Sequence, residues 1–128
     1  MLKKILLVGL IVFVAGLICW QMFLSKVNVT GKATLTWNAN TEEDLAGYRI
    51  YYGTEPRKGD CPKDGGYPKK IDAGKKSSYT FTDLPGNATY YFSVTSYNTG
   101  GKESCFSPEM SKKITNTIWD RVKQIFAN

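Results

Sequence analysis

Few side chains in this 128-residue sequence could carry out chemistry, and they limit what the protein can do. There is no histidine, the usual acid or base near neutral pH, and no glycine-rich loop is placed to hold a phosphate. Three adjacent carboxylates, Glu42, Glu43 and Asp44, fall in a turn-rich stretch. Calcium requires oxygen ligands gathered from several points of a chain, so we interpret this trio as a solvated acidic cluster. We therefore predict no enzyme, no bound metal and no cofactor.

The cysteines suggest an oxidising compartment instead. Cys19 lies in an apolar segment, which leaves Cys61 and Cys105 as a pair in the remainder of the chain. Two cysteines without histidine do not make a zinc site, whereas a cysteine pair in a small exported domain is typical of a disulfide. We predict a bond between Cys61 and Cys105; two free thiols are the alternative.

The N-terminal residues 1–24 are predicted to be a transmembrane anchor. Ile5–Leu24 carries no charge, and twenty helical residues span about 30 Å, the thickness of the hydrocarbon core. Lys3 and Lys4 favour a cytoplasmic N-terminus. We expect a single-pass protein of the cell (inner) membrane, with its C-terminal domain periplasmic or extracellular. A cleaved signal peptide is the alternative, although its apolar region is normally shorter, about 7–15 residues.

Residues 25–114 show the alternation of apolar and polar side chains that indicates half-buried β-strands. About six short strands are predicted, the last running from Cys105 to Ile114, and residues 54–70 are predicted to form a long loop. In the fifth strand, Tyr90 and Phe92 should face the core while Tyr91 and Tyr97 line the outer face. Short strands separated by turn signals predict an all-β antiparallel sandwich.

Two stretches of this region, Ala33–Thr54 and Ser77–Ser104, resemble a fibronectin type III domain, particularly the small bacterial, membrane-anchored versions. The resemblance implies an immunoglobulin-like sandwich with Trp37 ending its second strand. It also implies a tyrosine corner made by Leu84 and Tyr90, in which the phenol binds back to the preceding loop. Many functions use this fold, so the resemblance does not identify one.

One strand of such a domain is expected to be missing. A complete member has seven strands, but only the eight residues 25–32 separate the apolar segment from Ala33. We expect the first strand to be absent or merged with the next one. With six strands the C-terminus would return to the end of the sandwich nearest the membrane.

The C-terminal residues 115–128 are predicted to form a short amphipathic helix. Ile118, Val122, Ile125 and Phe126 recur at helical spacing on one face. This face could pack on the sandwich, lie on the membrane surface or dock against a partner, because so short a helix is only marginally stable alone. All three alternatives stay open.

These features favour a non-enzymatic, membrane-anchored module that binds or scaffolds proteins, as an accessory subunit of a membrane complex would. The net charge of +6 is dispersed, which argues against nucleic acid. A carbohydrate- or cell-surface-binding (adhesion) module, with tyrosines as stacking platforms, is the alternative. The predicted partner-binding residues lie on the outer sheet face and the helix: Arg49, Tyr51, Tyr91, Tyr97, Ile118, Trp119, Val122 and Phe126.

Overall fold

The computed structural model describes residues 13–18, 30–115, 119, 122, 123 and 126. Residues 30–115 form one unit that contains every strand described below. The predicted anchor falls largely outside the described residues; within it, residues 13–18 are helical and their apolar side chains are exposed. No helix in the described part of the chain is long and apolar enough to cross a membrane.

Six strands build two antiparallel sheets, as the alternation predicts. The strands are β1 (Thr30–Thr36), β2 (Leu45–Gly53), β3 (Lys69–Gly74), β4 (Ser78–Pro85), β5 (Ala88–Asn98) and β6 (Met110–Ile114). The first sheet contains only β1 and β4, whereas the second has the order β3-β2-β5-β6. The expectation about the missing first strand concerns the residues immediately before β1, which lie outside the described part of the chain.

The core lies between the sheets and is built from the predicted alternate positions. Leu35 of β1 and Phe81 of β4 contribute from the first sheet, and Tyr48, Ile50 and Phe92 contribute from the second. Ile50 is fully buried, and the rings of Phe81 and Phe92 lie 5.3 Å apart. Large aromatic side chains supply much of the buried apolar area that stabilises so small a domain.

The tyrosine corner implied by the resemblance is present. Tyr90 is buried at the start of β5, and its hydroxyl donates a hydrogen bond of 3.2 Å to the carbonyl oxygen of Pro85. Asn87 turns the chain between these residues with a positive φ of 62°, a conformation that asparagine tolerates better than most residues. The hydrogen bond thus fixes the connection that carries the chain from the first sheet to the second.

The last strand differs from its prediction. A regular strand over Cys105–Ile114 is wrong, because β6 begins only at Met110. Upstream, two serine hydroxyls replace main-chain carbonyls as partners of β5: the amide of Val94 donates to Ser107 Oγ (3.0 Å) and the amide of Ser96 to Ser104 Oγ (3.1 Å). Pro108 also lacks an amide for a ladder. The segment therefore follows the edge of β5 irregularly.

Replacing Tyr90 with phenylalanine tests the tyrosine corner. Tyr90→Phe should lower the free energy of unfolding by about 1 kcal/mol, the usual net contribution of one hydrogen bond, measured by urea denaturation. The control is Tyr91→Phe on the adjacent outer-face position, whose hydroxyl has no hydrogen-bond partner among the described residues. Equal stability losses for the two variants would contradict the assigned role.

Candidate functional site

The loop between β2 and β3 lies over the outer face of the four-stranded sheet and is fixed there covalently. Cys61 and Cys105 form the predicted disulfide, across a sequence separation of 44 residues. Next to it, the amide of Phe106 donates a hydrogen bond of 2.9 Å to the carbonyl of Asp60. The loop contains a short 3₁₀ turn, Pro62–Asp64. The bond therefore joins the loop to the irregular segment before β6.

This loop and the segment before β6 cover part of the surface that the sequence suggested for partner binding. Tyr51 is only 8% exposed, because the ring of Phe106 packs edge-on against it with the centroids 5.1 Å apart. Ser93 and Thr95, also on the outer face of β5, are each 1% exposed. The expectation of an exposed Tyr51 is therefore wrong: the alternation places it on the outer face, but the disulfide-held segments bury that face.

Arg49 and Tyr97 are half-buried and belong to an internal polar network. Arg49 forms an ion pair with Glu103 (Nη1–Oε2, 2.6 Å), and its guanidinium lies 4.3 Å from the centre of the Tyr97 ring. Tyr97 in turn donates a hydrogen bond of 2.8 Å to Asp72. One face and the hydroxyl of Tyr97 are thus engaged within the domain. Tyr91 is half-buried and has no such neighbours in the described part of the chain.

Glu103 is the centre of this network, and sequence analysis missed it. Besides Arg49, its carboxylate accepts hydrogen bonds from Tyr51 (2.9 Å) and Thr95 (2.6 Å). Burial alone would raise the pKa of Glu103, but the hydrogen bonds from Thr95, Tyr51 and Arg49 outweigh it and lower the pKa below 4.5. Burial, with the Glu103 hydrogen bond, raises the pKa of Tyr51 to about 12. Glu103 precedes the predicted last strand, which was expected to begin at Cys105, so only its pairing with an outer-face arginine could have identified it.

A second polar cluster attaches the loop to the sheet. The Arg57 side chain donates to the carbonyl of Ser107 (2.9 Å), and its main-chain amide donates to Glu109 (2.9 Å). Tyr67 donates to the same Glu109 carboxylate (2.6 Å) and lies 3.1 Å from the Ser93 hydroxyl. These bonds hold the loop down. The outer face is therefore mainly a structural surface, with its polar groups satisfied internally.

The predicted C-terminal helix lies partly within the described residues. Residues 119, 122, 123 and 126 are helical, and Trp119 and Phe126 are 74% and 84% exposed. Val122 is helical as well, whereas Ile118 lies outside the described residues. What this helix contacts stays a prediction.

The free edge of β1 is a different kind of surface. The amide of Trp37 donates to the carbonyl of Ser77 (3.0 Å), which makes Trp37 and Ser77 a hydrogen-bonded pair of the antiparallel ladder. Such pairs alternate with non-bonded ones, and Thr34 and Thr36 therefore direct their amides and carbonyls away from β4. Within residues 30–115, no strand takes up these groups. Unpaired edge groups are a template for another strand.

The second sheet is uncovered beside this edge. Met110 and Lys112 pair with Phe92 and Tyr90, so they share the core-facing side of the sheet. Nevertheless Met110 is 55% exposed and Lys112 is also exposed, whereas Ile114 at the end of β6 is buried. A methionine on the core side of a sandwich is exposed only when the opposite sheet does not extend over it.

The uncovered region has one closed end and one open end. At the closed end Ile114 lies against Gly31, where an added Cβ atom would come within 2.5 Å of the Ile114 Cγ2 atom. At the open end, a groove of about 270 Å³ is lined by residues that include Trp37, Val94 and Ser107. The indole nitrogen of Trp37 is buried and has no hydrogen-bond partner in the described part of the chain. We call this region, from Gly31 and Ile114 to Trp37 and Ser107, the edge cleft.

The two facing antiparallel sheets and the tyrosine corner define an immunoglobulin-like β-sandwich. The family model of the fibronectin type III domain matches residues 21–113, which is most of the chain. The chain therefore belongs to this family. The match begins inside the predicted anchor segment and includes its last four residues, 21–24. A search of curated proteins found no match.

Removing the disulfide should release the loop. The double variant Cys61→Ser, Cys105→Ser should unfold with a free energy lower by about 2–4 kcal/mol, because the unfolded chain regains the freedom that the bond removes. Denaturation with and without reductant measures this effect. Reductant should destabilise the wild-type protein and leave the double variant unchanged. A double variant as stable as the oxidised wild type would contradict the structural role.

Glu103 should make the domain sensitive to acid. Its pKa is lowered by folding, so its contribution to stability is complete above pH 4.5 and is lost as the pH falls through the folded-state pKa. Glu103→Gln should lower the free energy of unfolding by about 1–3 kcal/mol at pH 7 and reduce the further loss on acidification. Glu43→Gln, an exposed carboxylate outside the network, is the control. Parallel pH profiles for the two variants would contradict this assignment.

Proposed function

We propose that the protein is a non-enzymatic, membrane-anchored module that binds another protein through the edge cleft. The observation that carries the proposal is the edge of β1, which no strand of residues 30–115 occupies and beside which Met110 is exposed. An exposed apolar side chain beside unpaired main-chain groups favours association with protein, because proteins can satisfy both kinds of surface at once.

The membrane part of the proposal rests on the N-terminal sequence. Ile5–Leu24 is long and apolar enough to span a bilayer, and the described helical residues 13–18 within it are all apolar. Lys3 and Lys4 favour the cytoplasm for the N-terminus, and the Cys61–Cys105 bond suits the oxidising side. We infer a single-pass bacterial inner-membrane protein with its domain periplasmic or extracellular.

The spacing to the membrane suggests where the partner resides. Only residues 25–29 separate the anchor from β1. Five extended residues reach about 17 Å, so the domain stays close to the membrane surface. A neighbour in the same membrane is therefore the natural partner, as for an accessory subunit of a membrane complex.

Carbohydrate binding by the outer-face tyrosines is less favoured. Stacking on a sugar requires an exposed ring, but Tyr51 is buried and the Tyr97 ring is covered on one face by Arg49. Of these three tyrosines, only Tyr91 would be left to stack on a sugar.

A matched pair of substitutions tests the function. Full-length protein tagged after Asn128 is extracted in mild detergent, and the size and composition of its complex are measured. Met110→Lys should abolish the complex because it places a charge in the edge cleft, whereas Ser111→Lys, on the opposite face of β6, should retain it. Both positions are exposed, so folding should be unaffected.

Three outcomes would contradict the proposal. Equal loss of the complex in both variants would show that the edge cleft is not the contact surface. A wild-type protein that is monomeric in gentle extracts, or a mature chain that begins beyond Leu24 and is free of membrane, would refute protein binding or the anchor, respectively.

A further inference from the structure

The geometry of the edge cleft specifies the form of the segment that it can bind. Gly31 lies level with Ile114 at one end, and Trp37 lies level with Val94 and Ser107 at the other. Thr34 and Thr36 fall between these points, and Met110 falls between Ile114 and Ser107. The free main-chain groups and the uncovered sheet thus face the same space.

We propose that an extended segment of the partner protein adds to β1 as a third strand of the first sheet. This inference rests on the proposed protein-binding function and specifies its mode. The amides and carbonyls of Thr34 and Thr36 would pair with the main chain of the added strand. Side chains alternate between the faces of a strand, so every second residue of the segment would point towards Met110 and the core.

The chemistry of the cleft selects the side chains of that segment. Met110 requires apolar residues opposite it, since its exposed area is removed from water only by an apolar neighbour. Lys112 is exposed on the same core-facing side, and its positive charge favours a carboxylate at the neighbouring position of the segment. The occupant is therefore an extended peptide with alternating apolar residues and an acidic residue.

A second copy of the domain fits the cleft less well. Its own edge strand β1 would place Ala33 and Leu35 over Met110, but these side chains are 7% and 5% exposed within their own sandwich. They have almost no free surface to cover a second core. Two copies would also bring together Lys112 side chains without supplying a carboxylate from β1.

The chain's own preceding residues are too few if the anchor ends at Leu24. A hairpin turn uses at least two of residues 25–29, which leaves three for pairing. Paired back from Thr30, these three would reach only as far as Lys32, and the free groups of Thr34 and Thr36 would stay unpaired.

Photo-crosslinking in the native membrane tests the occupant. A benzophenone amino acid replaces Met110 in the full-length chain, and Ser111, on the outer face, carries it in the control. The linked peptides are mapped by mass spectrometry. The expected result is a link from position 110, absent from position 111, to a segment of another protein with alternating apolar residues and an acidic residue.

Two further matched pairs test the mode of binding. Thr34→Pro removes an outward-facing amide of β1, and Thr80→Pro removes the equivalent amide on the opposite edge of β4, since the two threonines are a non-bonded pair. Thr34→Pro should lower the yield of the cross-link about tenfold, whereas Thr80→Pro should not. If proline prevents folding, Lys112→Glu and Lys113→Glu replace this pair, because both lysines are exposed and only Lys112 faces the cleft. Lys112→Glu alone should lower the yield.

The remaining outcomes overturn the inference. A link from position 110 to residues before Thr30 of the same chain would identify an internal strand, and a link between differently tagged copies would identify a dimer. A partner that co-purifies without any link from position 110 would remove strand addition and leave the protein-binding function standing.

Discussion

Two sheets of unequal width must enclose one core in this domain, and this constraint governs the rest of the structure. The four-stranded sheet presents a row of buried groups from β2 and β5, including Ile50 and Phe92. The two-stranded sheet covers only part of that row. Where the two-stranded sheet covers the four-stranded sheet, the packing is dense and aromatic. Beyond that area, Met110 and Lys112 remain exposed on the core-facing side of β6. The same shortage leaves one edge of β1 unpaired within residues 30–115.

The opposite face of the large sheet has been closed by other means. The loop after β2 and the irregular segment before β6 meet over β5, joined by the Cys61–Cys105 bond and by the polar contacts of Arg57 and Glu103. Ser93 and Thr95 are consequently buried on a face that would otherwise be open to solvent. The domain thus uses a covalent link and charged hydrogen bonds where a small core provides limited stability. The outer face therefore serves the fold.

Much of the fold could be predicted because alternation and turn residues are local signals. Tyr90 and Phe92 were assigned correctly to the core from their spacing, and the disulfide followed from the cysteine pair and the compartment. The burial of Tyr51 could not be predicted, since it depends on where a long loop settles rather than on the strand that carries the tyrosine. The start of β6 was misplaced for a related reason. The hydroxyls of Ser104 and Ser107 take the place of main-chain acceptors, and the alternation of apolar and polar residues does not reveal this. The edge cleft lies beside an edge of β1 that no strand of residues 30–115 occupies. The number of residues before Ala33 led us to expect a missing first strand, but it could not locate a cleft on the surface.

Amide hydrogen exchange tests the central claim most directly, because it reports the main-chain hydrogen bonds at the free edge. The full-length protein is compared as an isolated chain and in its complex extracted from the membrane. The account predicts that the amides of Thr34 and Thr36 exchange rapidly in the isolated chain and become protected in the complex, while those of Ser78 and Thr80, on the far edge of β4, stay rapid in both. Thr34 and Thr36 amides that are already protected in the isolated chain, or that remain rapid in the complex, would contradict it.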